Sequence, residues 1–191
     1  MRALRTIGVV RAARFVCEQL IGVALNLCVL PQLRVALLRA LGARIGRDTI
    51  VHGVTIINFY RGSFRHLQLG HNCYIGQQCL LDLAAPICLD DNVTLAPRVA
   101  ILTHMKVGYE NHPLAALYPS RQEGVHVGAG CFIGANATLT CGVEVGPNTL
   151  VAAGAVVDRN LPGGCLAAGV PARPRRQLAL PALPAGKEGQ T

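Results

Sequence analysis

Aliphatic side chains recur at every sixth position near the end of the chain: Val127, Ile133, Leu139, Val145, Val151 and Val157. The residue after each is small or polar (Gly128, Gly134, Thr140, Gly146, Ala152, Asp158), and four residues on from each stands Cys131, Ala137, Val143, Thr149, Ala155 or Leu161. A period of six matches neither the 3.6 of a helix nor the 2.0 of an alternating strand. It predicts an all-β fold, a parallel β-helix of hexapeptide repeats in which each hexad is one short strand plus a corner. Upstream, Ile45, Val51, Ile57, Leu69, Ile75, Leu81 and Ile87 keep one register, broken only at Ser63 inside the polar stretch 58–66. After Ile87 the register slips by two and resumes at Leu89, Leu95 and Ile101. It then stops over 105–124, a segment holding His112, Pro113, Tyr118 and Pro119, before restarting at Val127. Such an insertion predicts a loop that leaves the solenoid, either with a job of its own or as a tolerated surface excursion.

The pattern divides the 191 residues into one domain with two appendages. Residues 1–41 hold the helix formers, 42–176 the repeats, and 177–191 a proline- and alanine-rich stretch expected to be a flexible tail. The N-terminal segment is apolar from Phe15 to Leu30 apart from Glu18, Gln19 and Asn26; Pro31 ends it, and arginines flank it. A spanning helix needs about 20 apolar residues. Glu18 would also be costly in lipid, and Glu18 and Gln19 interrupt the apolar region of a signal peptide. One or two helices that cap the open end of the solenoid, or lie on a membrane surface, fit better. The cysteines Cys73, Cys79 and Cys131 fall on the fifth position of a hexad, where the repeat wants small side chains, and no Cys/His spacing suggests zinc. They read as reduced packing residues of a cytoplasmic protein, at the inner face of the membrane if the helical segment anchors there.

The formal charge of +8 does not indicate nucleic acid: arginines are not interleaved with aromatics, tryptophan is absent, and no nucleic-acid-binding motif occurs. The excess lies in the N-terminal segment and in Arg173, Arg175 and Arg176, which suggests anionic lipid and a phosphorylated ligand. Among the six histidines, His52, His66, His71 and His126 lie in or beside corners and read as surface groups, and His112 lies in the insertion. His104 differs. It ends the coil Ile101-Leu102-Thr103-His104 where the insertion departs, so a strand would hold its backbone and a loop could cover it, an arrangement that suits a general base.

These residues carry a resemblance. Ile101-Leu102-Thr103-His104, a loop, then Val127-Gly128 and Ile133-Gly134, with the ending Val151 to Arg159 and Gly169-Val170-Pro171-Ala172-Arg173, resemble the hexapeptide-repeat acyltransferases. Within that family, Ile75 to Asp82 followed by Leu89 to Val93 is most similar to the sugar and polysaccharide O-acetyltransferases. The resemblance spans roughly residues 33–176 and implies a left-handed parallel β-helix, an exception to the right-handed crossover rule. It further implies a homotrimer with sites between subunits, acetyl-CoA as donor, a saccharide acceptor, free or lipid-linked, and no metal.

By the same resemblance His104 takes a proton from the acceptor hydroxyl, and a backbone N–H of the coil stabilises the charge that develops on the thioester oxygen. Asp82 would touch the acceptor or orient His104; a corner aspartate bonding its own backbone is the plainer alternative. Gln78 stands near where the family often has an acceptor-binding asparagine, and Met105-Lys106 follow His104 where many members have histidine or aspartate. Arg159, Arg173 and Arg176 match basic positions near CoA, with a solvated basic tail as the alternative for Arg176. Ala135 and Ala153 match positions lining the pantetheine arm. Rival readings are a γ-class carbonic anhydrase, whose closely spaced histidine pair is missing, and a non-catalytic β-helix scaffold, which would be expected to lose His104 and the Gly-Val-Pro-Ala-Arg segment. An amino-sugar or amino-acid acyltransferase is the nearer alternative.

Overall fold

In a computed structural model of the chain, the residues described are 16–17, 20–25, 27–108 and 112–179. The expected tail from 180 onward and most of the arginine-flanked N-terminus lie outside them.

Each hexad forms one short strand, and three strands make a coil. The strands stack into three parallel sheets. Sheet A holds β1 (Arg44–Ile45), β4 (Leu67–Leu69), β7 (Ile87–Leu89), β12 (Val125–Val127) and β15 (Glu144–Val145). Sheet B begins with β2 (Ile50–Val51), β5 (Tyr74–Ile75), β8 (Thr94–Leu95), β13 (Phe132–Ile133) and β16 (Leu150–Val151). Sheet C holds β3 (Val54–Ile57), β6 (Cys79–Asp82), β9 (Ala100–Ile101), β14 (Thr138–Leu139) and β17 (Val156–Val157). The register pairs one coil's hexad residue with the next: Leu69 with Leu89 and Val127 in A, Ile75 with Leu95 and Ile133 in B, Leu81 with Ile101 and Leu139 in C. Those side chains point into the prism and are buried, each stabilising it by about 1.5–3 kcal/mol. The architecture is the left-handed β-helix.

Tight corners let the strands close into a triangle. The A–B and B–C corners turn through residues with positive φ, including Asp48, Asn72, Asn92, Asn148, Gln78, Arg98 and Asn136. Asparagine and aspartate tolerate that region because their side chains bond locally. The coils also approach closely: a Cβ on Gly134 would stand 2.5 Å from the Ala153 nitrogen of the next coil. The expected small-residue cysteines fill the same corners, and Cys73, Cys79 and Cys131 are all buried.

Both ends are covered. Helix α1 (Pro31–Ala40) packs on the first coil through Val35 and Leu38. Arg34 is buried there, and its guanidinium donates to the carbonyls of Leu25, Cys28 and Val51. At the other end β18 (Cys165–Ala168) joins sheet B, and β19 (Arg173–Gln177) folds back antiparallel to it. Order thus runs slightly past the expected start of the tail, with the Leu178 N–H still donating to the Gly164 carbonyl.

One departure from the six-residue period is a single missing residue in the first B–C corner, so that Ile56, and not Ile57 as the period predicts, pairs with Leu81 and is buried; every inserted residue falls on one edge. Between sheets C and A, Ile56 and Leu69 are separated by the helix α2 (Phe59–Gly62) and a 3-10 turn (Phe64–His66). Leu81 and Leu89 are separated by a hexad plus two residues, which accounts for the register slip, and Ile101 and Val127 by the long insertion. That insertion is not structureless: β10 (His104–Met105) pairs antiparallel with β11 (Arg121–Gln122).

Candidate active site on the C–A edge

The three irregular turns stack, and their first residues meet. Asn58 follows β3, Asp82 ends β6 and His104 starts β10, on successive coils. The Asp82 carboxylate is fully buried and accepts five hydrogen bonds. Oδ1 takes the Asn58 Nδ2–H (2.8 Å) and the Ala84 N–H (3.2 Å). Oδ2 takes the Thr103 N–H (3.0 Å), the His104 N–H (3.1 Å) and the His104 Nδ1–H (2.5 Å). Burial pushes this carboxyl up, but the bonds from His104, Asn58, Thr103 and Ala84 outweigh it and hold the group below the ordinary aspartate value. An ionised carboxylate only accepts, so Nδ1 must donate and the neutral ring carries its lone pair on Nε2. The imidazole is 26% exposed, so Nε2 can meet a substrate.

The surrounding turn is fixed at almost every polar atom. Thr103 Oγ1 donates to the Asp82 carbonyl (2.6 Å) and accepts from the Ala85 N–H (2.9 Å). His66 Nδ1 donates to the Leu83 carbonyl (3.0 Å), and Gln122 Nε2 to that of Ala84 (2.8 Å). The Glu123 N–H donates to the Thr103 carbonyl (3.0 Å), closing the hairpin over the coil. His66, read from sequence as a surface group, is therefore part of this support.

Farther along the same edge, Arg173 Nη1 (2.9 Å) and Arg159 Nε (3.2 Å) share one Asp158 carboxylate. Two guanidinium groups against one carboxylate leave a net positive charge with unused N–H groups, a donor set that suits a phosphate. Arg176 lies apart, exposed on β19. Ala135 and Ala153 stack on adjacent coils at the B–C corner, where the Gly154 N–H donates to the Ala135 carbonyl (2.8 Å). Gln78 is also at that corner, at the opposite end of the β6 region from Asp82. One chain thus joins His104 with Asp82 and Arg159 with Arg173, while Gln78, Ala135 and Ala153 line the other edge of sheet C.

Asn58, Thr103, His66 and Gln122 carried no predicted role. A signal existed: each sits where the hexad register fails or has just failed. A groove of about 520 Å³ lies on sheet A beside Arg44, Gln68, Asp90 and Asp91, and His104 does not line it. The open edge with the Asp82–His104 pair is the better place for chemistry, because a wall missing from one chain can come from another. Among the described residues, no cluster of three His, Cys, Asp or Glu side chains is placed to hold a metal.

Comparison with known proteins agrees with the repeat. The family described as a hexapeptide repeat of succinyl-transferase matches residues 124–159. Galactoside O-acetyltransferase of Escherichia coli is 27% identical over 119 residues, 59% of this chain and 58% of that protein. Serine acetyltransferase of Salmonella typhimurium is 34% identical over 99 residues, 52% of this chain and 34% of that protein. The chain thus spans little more than half of the first and a third of the second. The crystal structure of a hexapeptide-repeat acetyltransferase from Vibrio cholerae complexed with acetyl coenzyme A superposes with a TM-score of 0.74 at 22% identity, covering 90% of each chain. In repeat, prism and relatives the chain is similar to the hexapeptide-repeat acyltransferases.

Proposed function

We propose that the protein transfers an acetyl group from acetyl-CoA to a hydroxyl of a saccharide, in the modification of a surface polysaccharide or glycolipid. The observation that carries the reading is the Asp82–His104 pair: a buried, ionised carboxylate fixes the imidazole tautomer and leaves Nε2 free to take a proton. Acetyl-CoA, when bound, supplies the activated acyl group. Arg159 and Arg173 would hold its phosphates, with Arg176 in reserve on β19, and Ala135 and Ala153 would leave room for its arm. Gln78 would contact the acceptor.

Because Gln78, Ala135 and Ala153 stand across sheet C from His104, a full site needs a second chain, and a homotrimer supplies it. An outward row on sheet B, with Ile50, Tyr74 and Phe132 all exposed and in register through Thr94, offers apolar surface for that assembly. The likeness to serine acetyltransferase favours one second reading, in which the acceptor hydroxyl belongs to an amino acid.

The test is release of CoA thiol from acetyl-CoA in the presence of galactosides, maltose or L-serine, beside calorimetric titration with CoA. The expected result is saturable CoA binding, weakened by Arg159→Ala/Arg173→Ala. Turnover should occur with a saccharide and fall about 10²–10⁴-fold in His104→Ala. Turnover with serine alone would transfer the reading to the amino acid; folded protein that binds no CoA would end it.

A further inference from the structure

The N-terminal helical stretch has two faces. Leu25 is buried and Ile21 packs against the core, whereas Val16, Leu20, Val23, Leu27 and Leu30 are all exposed. The first four recur at intervals of four, three and four, which places them on one stripe of a helix, opposite Ile21 and Leu25. Val29, Leu30 and Leu33 continue the exposed apolar surface past the helix end, at 84%, 57% and 58% exposure. The stripe is held outward: Arg34 bonds the carbonyls of Leu25 and Cys28 at the end of the stretch and that of Val51 on the first coil, fixing the helix to the solenoid.

The charge has an equally uneven distribution. Residues 1–66 carry ten arginines against Glu18 and Asp48, which accounts for the whole net charge of +8. Residues 67–191 carry eight Lys and Arg against eight Asp and Glu and are neutral. Among the described arginines of this end, Arg39, Arg44, Arg47, Arg61 and Arg65 are exposed. An apolar stripe on an end of single positive sign matches an anionic lipid surface. A second copy of the chain would bring the same charge to the contact and be repelled. Among the described residues no helix is long and apolar enough to cross a membrane, so contact would be in the interface plane.

We propose that the helical end docks the protein on an anionic membrane surface, with Val16, Leu20, Val23, Leu27 and Leu30 in the headgroup–acyl boundary and the neighbouring arginines on the lipid charges. The solenoid then stands on the bilayer by its first coil. His104, on the third coil, lies about 10 Å farther along the axis, two strand spacings up. The inference does not depend on the catalytic reading, since the stripe and the charge are separate from the C–A edge.

The experiment is flotation of the full-length protein with vesicles of phosphatidylcholine alone and of phosphatidylcholine mixed with phosphatidylglycerol, at low and high salt. Leu20→Glu/Leu27→Glu is run beside the wild type. Both positions are exposed, so the variant should keep its thermal unfolding midpoint and, where CoA binds, its CoA affinity. Binding to mixed vesicles only, weakened by salt and reduced about tenfold or more in the variant, supports the proposal. No binding to mixed vesicles overturns it, as does equal binding by the variant or to neutral vesicles. If sedimentation instead shows an assembly that the variant breaks apart while vesicles stay bare, the stripe is covered by another copy and the proposal falls. The CoA titration reports the catalytic reading separately.

Discussion

The C–A and B–C edges of the prism are cut from the same strands but built under different rules. At the B–C edge Ile75 to Leu81, Leu95 to Ile101 and Ile133 to Leu139 keep their six-residue step; only the first coil falls one residue short, where Ile56 and not the expected Ile57 takes the buried place beside Leu81. Closure there relies on residues with positive φ and on close backbone approach at glycines such as Gly134. At the C–A edge the step fails three coils running, and each failure adds backbone whose polar groups need partners. The partners they find are one another: the Asp82 carboxylate absorbs N–H groups from Ala84, Thr103 and His104, and Thr103 Oγ1 absorbs that of Ala85. Extra residues at a repeat corner are thereby converted into a buried charge with a histidine attached. A regular edge stacks coils, and an irregular one can position a reacting group.

The largest expected effect comes from breaking the irregular edge at its centre. Asp82→Asn would offer an amide N–H where five donors converge, leaving at least one unsatisfied and removing the acceptor that fixes the His104 tautomer. Acetyl transfer should fall by about 10²-fold or more in kcat. CoA affinity should hold, and folding stability should drop by about 1–3 kcal/mol. Steady-state kinetics beside a thermal melt measures both. A variant that is less stable but turns over normally would reduce Asp82 to a structural aspartate and remove the reason for assigning His104 as base.

The regular edge answers differently. Gly134→Ala places a methyl 2.5 Å from the Ala153 nitrogen and should destabilise by about 1–3 kcal/mol through overpacking. Gly154→Ala has no atom within 4 Å of its new Cβ but a φ of +70°, so only the left-handed backbone is penalised, by about 1 kcal/mol. Denaturant melts should rank Gly134→Ala below Gly154→Ala, with the kcat of the folded enzyme near wild type in both. If Gly154→Ala were the worse, the corners would be limited by backbone conformation and not by coil spacing.

How far these edges could be read from sequence follows from the same contrast. Aliphatic residues at a fixed period report the inward-facing row directly, so the strands around Val127 to Val157 and their pairing were legible. His104 was legible because it terminates a regular coil. The network around it was not, because Asp82–His104 and Asn58–Asp82 contacts join residues 22 and 24 apart, across coils, and no local pattern encodes them. A two-residue slip was visible but read after Ile87, whereas the structure places it between Leu81 and Leu89, and its cause, a turn wrapped around a carboxylate, appears only in three dimensions. In the same way Phe59 and Phe64 looked like part of a failed hexad. They are buried with ring centroids 4.7 Å apart, forming a core for the first inserted turn that owes nothing to the period.

The smallest predicted effect distinguishes two carboxylates that are both held below their ordinary range. Asp158 is lowered by Arg173 and Arg159 at the surface, Asp82 by bonds to His104, Asn58 and backbone that prevail over burial. A carboxylate whose folded value is depressed contributes stability that is fully present above its unfolded value, near 3.8, and lost as pH falls through the folded value below it. The buried Asp82 can add at most about 1.4 kcal/mol per pH unit to the acid slope of the unfolding free energy. Salt screens exposed pairs far more than buried ones. Acid unfolding measured at low and high ionic strength should therefore show that Asp158→Asn flattens the slope only at low salt, whereas Asp82→Asn flattens it at both. Equal salt sensitivity in the two variants would mean that solvent reaches Asp82, and a carboxylate open to solvent could not hold His104 in a single tautomer.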